Sequence, residues 1–307
     1  MRQNYFKVNS LLAISCFILC NLFGQASEGH VEDINSFSTF TDWCENKNKL
    51  DSETIYTIDQ LLLVAKTSDC GLANKRLNEI KSLYLNKKGI SSLSPLKSFQ
   101  SLVELRLSEN KISDLTPLKS LTNLESLSLS ENQITNISVL SSLTKLNALS
   151  LENNRISNIN SLSNLYNLKG IGLSRNEITE VKPLSSLTNL IVLRLNYNQI
   201  ANIQSLEKLT KLTELGISGN RISDISPLRK LTNLTVLSAK RNQISDVTPL
   251  KSLINLRQLY LSDNKITDIS PLSSLKKLGT DGASFSVLQN PIINKTCPFD
   301  DKYVCGF

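Results

Sequence analysis

Few side chains in this chain of 307 residues are equipped for catalysis. The single histidine, His30, lies upstream of every organised segment. The many serines sit in no nucleophile-elbow motif, no cysteine sits in a catalytic-cysteine motif, and no glycine-rich phosphate loop occurs. Carboxylates such as Glu104, Glu152 and Glu214 are scattered without a convergent partner. The reading is a non-enzymatic chain without a cofactor. A carbohydrate-active or other enzyme is the remote alternative.

Two residue types carry chemistry of another kind. Of the six cysteines, Cys16 and Cys20 fall in the first 26 residues, and the rest form one local pair near each end, Cys44 with Cys70 and Cys297 with Cys305. An even count in an exported chain reads as two disulfides. Zinc is the competing chemistry, but neither a C-x-x-C spacing nor a histidine accompanies either pair, so no metal site is expected. In the loop-entropy picture the larger loop contributes roughly 3–4 kcal/mol and the smaller roughly 2–3 kcal/mol. Asparagine is the second type. Its amide both donates and accepts, so it can satisfy buried backbone groups in neighbouring turns of chain. Asn110, Asn132, Asn154, Asn176, Asn198, Asn220, Asn242 and Asn264 recur every 22 residues, which predicts a stacked structural ladder.

The element that must position these asparagines is a repeat. Leu102, Leu124, Leu146, Leu168, Leu190, Leu212, Leu234, Leu256 and Leu278 keep the same interval of 22, and Ile80 opens the pattern one unit earlier. The unit from 102 shows the frame: Leu102, Leu105, Leu107, Asn110, Ile112, Leu115, Pro117, Leu118 and Leu121. Its L-x-L segment has period two, which predicts a short strand with both leucines turned inward. Adjacent units then lay these strands side by side in a parallel sheet. Pro95, Pro117, Pro183, Pro227, Pro249 and Pro271 share one position, opening a short helical turn that needs no amide donor there. One unit cannot bury its leucines alone, so the ends need caps. The fold class expected is an α/β repeat solenoid: a curved array with a parallel β-sheet on its concave face and short 3-10 turns on its convex face.

The chain then divides into a leader (1–26), a flexible lead-in (27–37), a helical N-terminal cap with a disulfide (38–79), nine repeats (80–277) and a C-terminal cap with a disulfide (278–307). In the leader, Arg2 and Lys7 precede an apolar stretch, Leu11–Phe23, and Gly24-Gln25-Ala26 offers a small-x-small cleavage site, the pattern of a signal peptide. An uncleaved anchor or a lipid on Cys16 are the alternatives; the stretch is short for a span, and Ala13-Ile14-Ser15 fits a lipoprotein signal poorly. In the N-terminal cap a helix is predicted from Ser52 to about Lys66, with Ser52 as N-cap and Ile55, Ile58, Leu61, Leu62 and Ala65 as its apolar face. Near the other end, Gly279 to Gly282 reads as a small insertion before a last turn at Asn290-Pro291-Ile292.

The formal charge of +7 falls to +5 without the leader, with 32 basic against 27 acidic residues, and the two signs alternate along the array. That bias is too mild for a polyanion binder, so no nucleic-acid partner is expected.

The chain resembles internalin-type bacterial leucine-rich-repeat proteins from Ile80 to about Ile292, on phrases such as the run Ile222 to Leu228, ISDISPL. Its ends are similar to exported leucine-rich-repeat proteins of Gram-negative bacteria and cyanobacteria, on Asp42-Trp43-Cys44, Thr67-Ser68-Asp69-Cys70 and Lys295-Thr296-Cys297-Pro298. The resemblance implies a curved solenoid that presents its strand face to protein ligands. Only Gly306 and Phe307 follow Cys305, so neither an immunoglobulin-like module nor a wall-sorting signal is expected.

On that face the third, fifth and seventh positions of each unit point outward and vary while the frame stays fixed. Gly170, Gly172, Gly216 and Gly219 remove side chains there and would admit close backbone approach. Beside them lie Arg194, Tyr197, Lys240, Arg241 and Tyr260, of the types that most often dominate interface energies. This predicts a basic-aromatic patch for a protein or peptide of some acidic character. A monomer of the bacterial envelope or exterior, without stable membrane insertion, is the expectation. A cytoplasmic scaffold or regulator of another enzyme is the alternative.

Overall fold

A computed structural model describes residues 36–280, 282–299 and 305. The leader expected at 1–26 lies outside them, as does the lead-in up to residue 35. Among the described residues, ten three-residue strands follow one another in a single parallel sheet, each paired with the next in chain order. They are β1 (Ser82–Tyr84), β2 (Glu104–Arg106), β3 (Ser126–Ser128), β4 (Ala148–Ser150), β5 (Gly170–Gly172), β6 (Val192–Arg194), β7 (Glu214–Gly216), β8 (Val236–Ser238), β9 (Gln258–Tyr260) and β10 (Ser284–Ser286). Register follows the repeat: Leu105 lies opposite Leu83 on one side and Leu127 on the other. β10, which the nine-unit frame does not contain, continues the sheet across the four-residue insertion, with Ser284 beside Gln258.

The coil is built by burial. In the unit from 102, Leu102, Leu105, Leu107, Ile112, Leu115, Leu118 and Leu121 are each at most 2% exposed. Each such burial contributes roughly 1.5–3 kcal/mol relative to exposure, and the covering atoms belong to the coils on either side. The chain leaves each strand through a residue of left-handed backbone. From Lys87 to Gln289 the eighth position has φ between 53° and 66°, and only Gly219 among these ten residues is a glycine. Such a conformation costs roughly 1–2 kcal/mol outside glycine. It is held because the same residue's amide donates to the next coil, as Glu109 N does to Ser130 O at 2.9 Å.

The ninth position completes the clamp. Asn176 Nδ2 donates to Leu151 O and Leu173 O at 2.9 and 3.1 Å, and its Oδ1 accepts from Ile156 N at 3.0 Å. The other asparagines of the row repeat this arrangement, and Asn290 adds a rung beyond the insertion, donating to Leu261 O and Val287 O. A 3-10 turn then crosses the convex side, such as Thr116–Ser120, with Pro117 in its first turn. Ser138–Ser142 and Gln204–Lys208 form the same turn without proline, so the proline is tolerated there rather than required.

Among the described residues, three helices precede the first strand: α1 (Phe40–Glu45), α2 (Ser52–Ala65) and α3 (Cys70–Glu79). Only α2 was legible in advance, and its details differ. The N-cap is Asp51, whose carboxylate accepts from Thr54 N at 2.7 Å, and Ser52 is the first helical residue. A carboxylate serves the positive end of the helix better than a hydroxyl. Its buried face holds Thr54 and Thr57 with Ile58, Leu61 and Ala65, while Ile55 and Leu62 are half-buried. The threonines are buried because the first coil supplies partners: Thr54 Oγ1 lies 2.7 Å from Ser92 Oγ, and Thr57 Oγ1 donates to Ser92 O at 2.8 Å. Cys44 and Cys70 form a disulfide joining α1 to the start of α3. At the far end Cys297 and Cys305 are bonded, and Phe299 stands edge-on to Phe285 at 5.1 Å.

Candidate functional site

The strand face lies between two edges: an ascending one, leaving each strand through positions 8 to 13, and a descending one, leading from each 3-10 turn into the next strand. Because strands are in register, residues 22 apart stand side by side. The face has three zones. At β1 and β2, the Tyr84 hydroxyl donates to Glu104 Oε2 at 2.9 Å, Arg106 pairs with Glu104 at 2.7 Å, and the guanidinium sits 5.0 Å from the Tyr84 ring centre. The Tyr84 hydroxyl, then Arg106, hold the Glu104 carboxyl below the usual glutamate range. Across β3 to β5 the outward residues Ser126, Ser128, Ala148, Ser150 and Gly170 give low relief. There Ser130 and Ser150 both donate to Glu152.

The third zone contains the residues singled out from sequence. Lys240 Nζ lies 4.7 Å over the Tyr260 ring. Arg194 is tied to Glu214, with Nε 2.8 Å from Oε1, and Arg241 stands 3.8 Å from Asp263. Tyr197 and Arg241 occupy the eighth position, so their left-handed backbone carries them to the ascending rim rather than the floor. Arg175, not singled out in the sequence, stacks 4.9 Å over Tyr197. The signal for it was there: the two share a repeat position one coil apart.

The glycines play a different part from the one expected. Gly172 and Gly216 are buried. A Cβ on Gly172 would collide with the Glu152 carboxylate, and one on Gly216 would lie 2.6 Å from Asn196 Nδ2. Over Gly219, with φ of +66°, the Tyr197 ring lies 2.6 Å from where a Cβ would be. These glycines seat the side chains of the preceding coil. Only Gly170 leaves open space.

Among the described residues no cluster of His, Cys, Asp and Glu is placed to hold a metal, and no helix is long and apolar enough to cross a membrane. A family model of paired leucine-rich repeats matches residues 122–164, 166–208 and 210–252, and a single-repeat model matches 255–278. The solved structure of internalin C2 from Listeria monocytogenes is 35% identical over 71% of this chain and 87% of that one, with a TM-score of 0.54. The chain belongs to the internalin-type leucine-rich-repeat family. A second Listeria internalin agrees, at 27% identity and a TM-score of 0.64 over 76% of this chain and 82% of the other. So does a leucine-rich-repeat protein of Leptospira interrogans, at 28% identity and a TM-score of 0.66, over 72% of this chain and 58% of the other. No curated protein sequence matches. An internalin-type array is a protein-binding module, and the matches indicate no enzyme family.

Proposed function

We propose that this internalin-type chain is a non-enzymatic, exported monomer that holds a protein or peptide partner on its strand face, with the main contacts at Arg194, Tyr197, Lys240, Arg241 and Tyr260. The carrying observation is that two cations of this zone, Lys240 and Arg175, rest on tyrosine rings with no carboxylate paired to them among the described residues. Stacking holds each long side chain in place, which lowers the ordering cost of a contact. Arg194 and Arg241 each have an acidic neighbour, so the demand for acidity in the partner is local to Lys240 and Arg175. Gly172 and Gly216 contribute by seating Glu152 and Asn196. The disulfides at both ends support an oxidising compartment, hence the bacterial envelope or exterior.

The test replaces Arg194, Lys240 and Tyr260 together with Ala and compares pull-downs from native extract. Loss of a partner that the unaltered chain recovers is expected. Unchanged recovery by a folded triple variant would overturn the patch.

A further inference from the structure

Basic and acidic residues alternate along the sequence but not around the coil. Taking each repeat from its first leucine, the descending edge consists of positions 21, 22 and 2. Over the nine coils it carries seven Lys and Arg against one acidic residue, Glu125. The ascending edge carries eight against nine, and the outward positions of β1 to β9 with the residues just after them carry three against three. The adjoining convex turns, positions 15 to 20, also carry seven against one, Glu207, so the positive charge is gathered on the descending edge and the convex side next to it.

The cations of the descending edge are not neutralised. Lys145, Lys169, Lys211, Arg257 and Lys276 are exposed, and none pairs with a carboxylate among the described residues. Lys145, Lys211 and Lys277 instead donate from Nζ to Oδ1 of Asn123, Asn189 and Asn255 on the preceding coil, at 2.7, 2.7 and 2.6 Å. A neutral acceptor fixes an ammonium without cancelling its charge. These three recur every third coil, roughly 15 Å apart at the spacing of parallel strands. Large apolar side chains stand exposed on the same edge: Tyr166 at 54%, Ile191 at 40% and Ile254 at 56%. A soluble polyanion has no use for them. A lipid interface accommodates apolar tips, and lysine stems lie along it with their ammonium groups at the headgroups.

We propose that the descending edge docks on an anionic lipid bilayer, Lys145, Lys169, Lys211 and Arg257 meeting the headgroups and Tyr166, Ile191 and Ile254 entering the interface. The array bends toward its strand face, so an edge, unlike the convex side, meets a flat sheet along its length. Docked this way, the strand face stays open to its own partner, and the two sites are independent.

The test is co-sedimentation of the full chain with vesicles of phosphatidylcholine alone or mixed with phosphatidylglycerol. Binding to the mixed vesicles only is expected, and it should vanish by about 0.5 M salt as the Debye length shrinks. Reversing Lys145, Lys169, Lys211 and Arg257 to Glu should lower partitioning at least ~100-fold. Y166S/I254S should weaken it with all charges kept. Reversal of Lys111, Arg155, Arg221 and Lys265 on the ascending edge should weaken it far less. Equal binding to neutral vesicles would overturn the proposal, as would an unaffected, folded four-charge variant. So would binding to polyphosphate or duplex DNA with none to vesicles. If the four-charge variant does not fold, the lipid and salt arms on the unaltered chain decide.

Discussion

Asparagine recurs at two positions of the repeat, and the two differ in worth. Asn176 in the ninth position and Asn189 in the twenty-second each donate a side-chain amide to a carbonyl of the preceding coil, at the same 2.9 Å. Asn176 is 7% exposed and serves a second carbonyl and a backbone amide as well. Asn189 is exposed, and its remaining partner is the Lys211 ammonium. Water can replace everything Asn189 does. Nothing can replace Asn176, because an unmet buried backbone group carries its full desolvation penalty. The repeat records the difference within this one chain: eight successive coils keep asparagine in the ninth position, while Lys145, Lys211 and Lys277 take the twenty-second. Burial, more than bond length or bond count, separates frame from surface.

The contrast can be broken most directly at Asn176. Asn176→Ala strands the amide of Ile156 and removes one of two donors from the carbonyls of Leu151 and Leu173, which keep Asn154 and Asn198, and should cost about 1–3 kcal/mol in urea unfolding. A loss near zero would remove the distinction between the rows. Next in size is the exposed Arg194–Glu214 pair, for which a double-mutant cycle should give roughly 0.2–1 kcal/mol of coupling, reduced by salt. Asn189→Ala should stay within about 0.5 kcal/mol of the parent; a cost matching that of Asn176→Ala would show that the exposed row carries the frame too.

The smallest effect at neutral pH belongs to a third row, where Asp246 Oδ1 accepts from Thr248 N and Asp268 Oδ1 from Ser270 N, both at 2.8 Å. The Thr248 hydroxyl and then its amide hold the Asp246 carboxyl below the ordinary aspartate range, and the Ser270 amide and then its hydroxyl do the same for Asp268. The folded state thus favours the charged form. That contribution is present above the unfolded pKa and is lost as pH falls through the lower, folded one, below about pH 4. Asn136, Asn158 and Asn202 make the same turn without titrating. D246N/D268N should therefore melt like the parent near pH 7 and lose less melting temperature on acidification. An identical acid profile would sever the link between this row and acid stability.

The sequence made the frame legible because a period of 22 places every leucine and every ninth-position asparagine before the structure is seen. The caps were less so. α1 and α3 are short and fall outside the period, and Asp51 and Ser52 are adjacent residues that are both good N-caps. In the candidate site, Lys240 and Tyr260 stand together, as positions one coil apart suggest, but the partners of Arg194 and Arg241 depend on which rotamers reach across a coil. Gly172 and Gly216 look like open floor in one dimension, and only the neighbouring coil shows Glu152 and Asn196 lying over them. The charged edge was hidden for a related reason. Signs that alternate along the chain separate once positions are stacked by the repeat.

The central claim is that the strand face holds the partner, and site-specific photo-cross-linking in native extract tests it most directly. A photoreactive phenylalanine analogue would replace Tyr260 on the strand face or, in a second chain, exposed Ser273 in the convex turn Ser270–Ser274. The expected result is a discrete adduct from position 260, competed away by unlabelled parent chain, and none from position 273. An adduct from position 273 with none from position 260 would contradict the account.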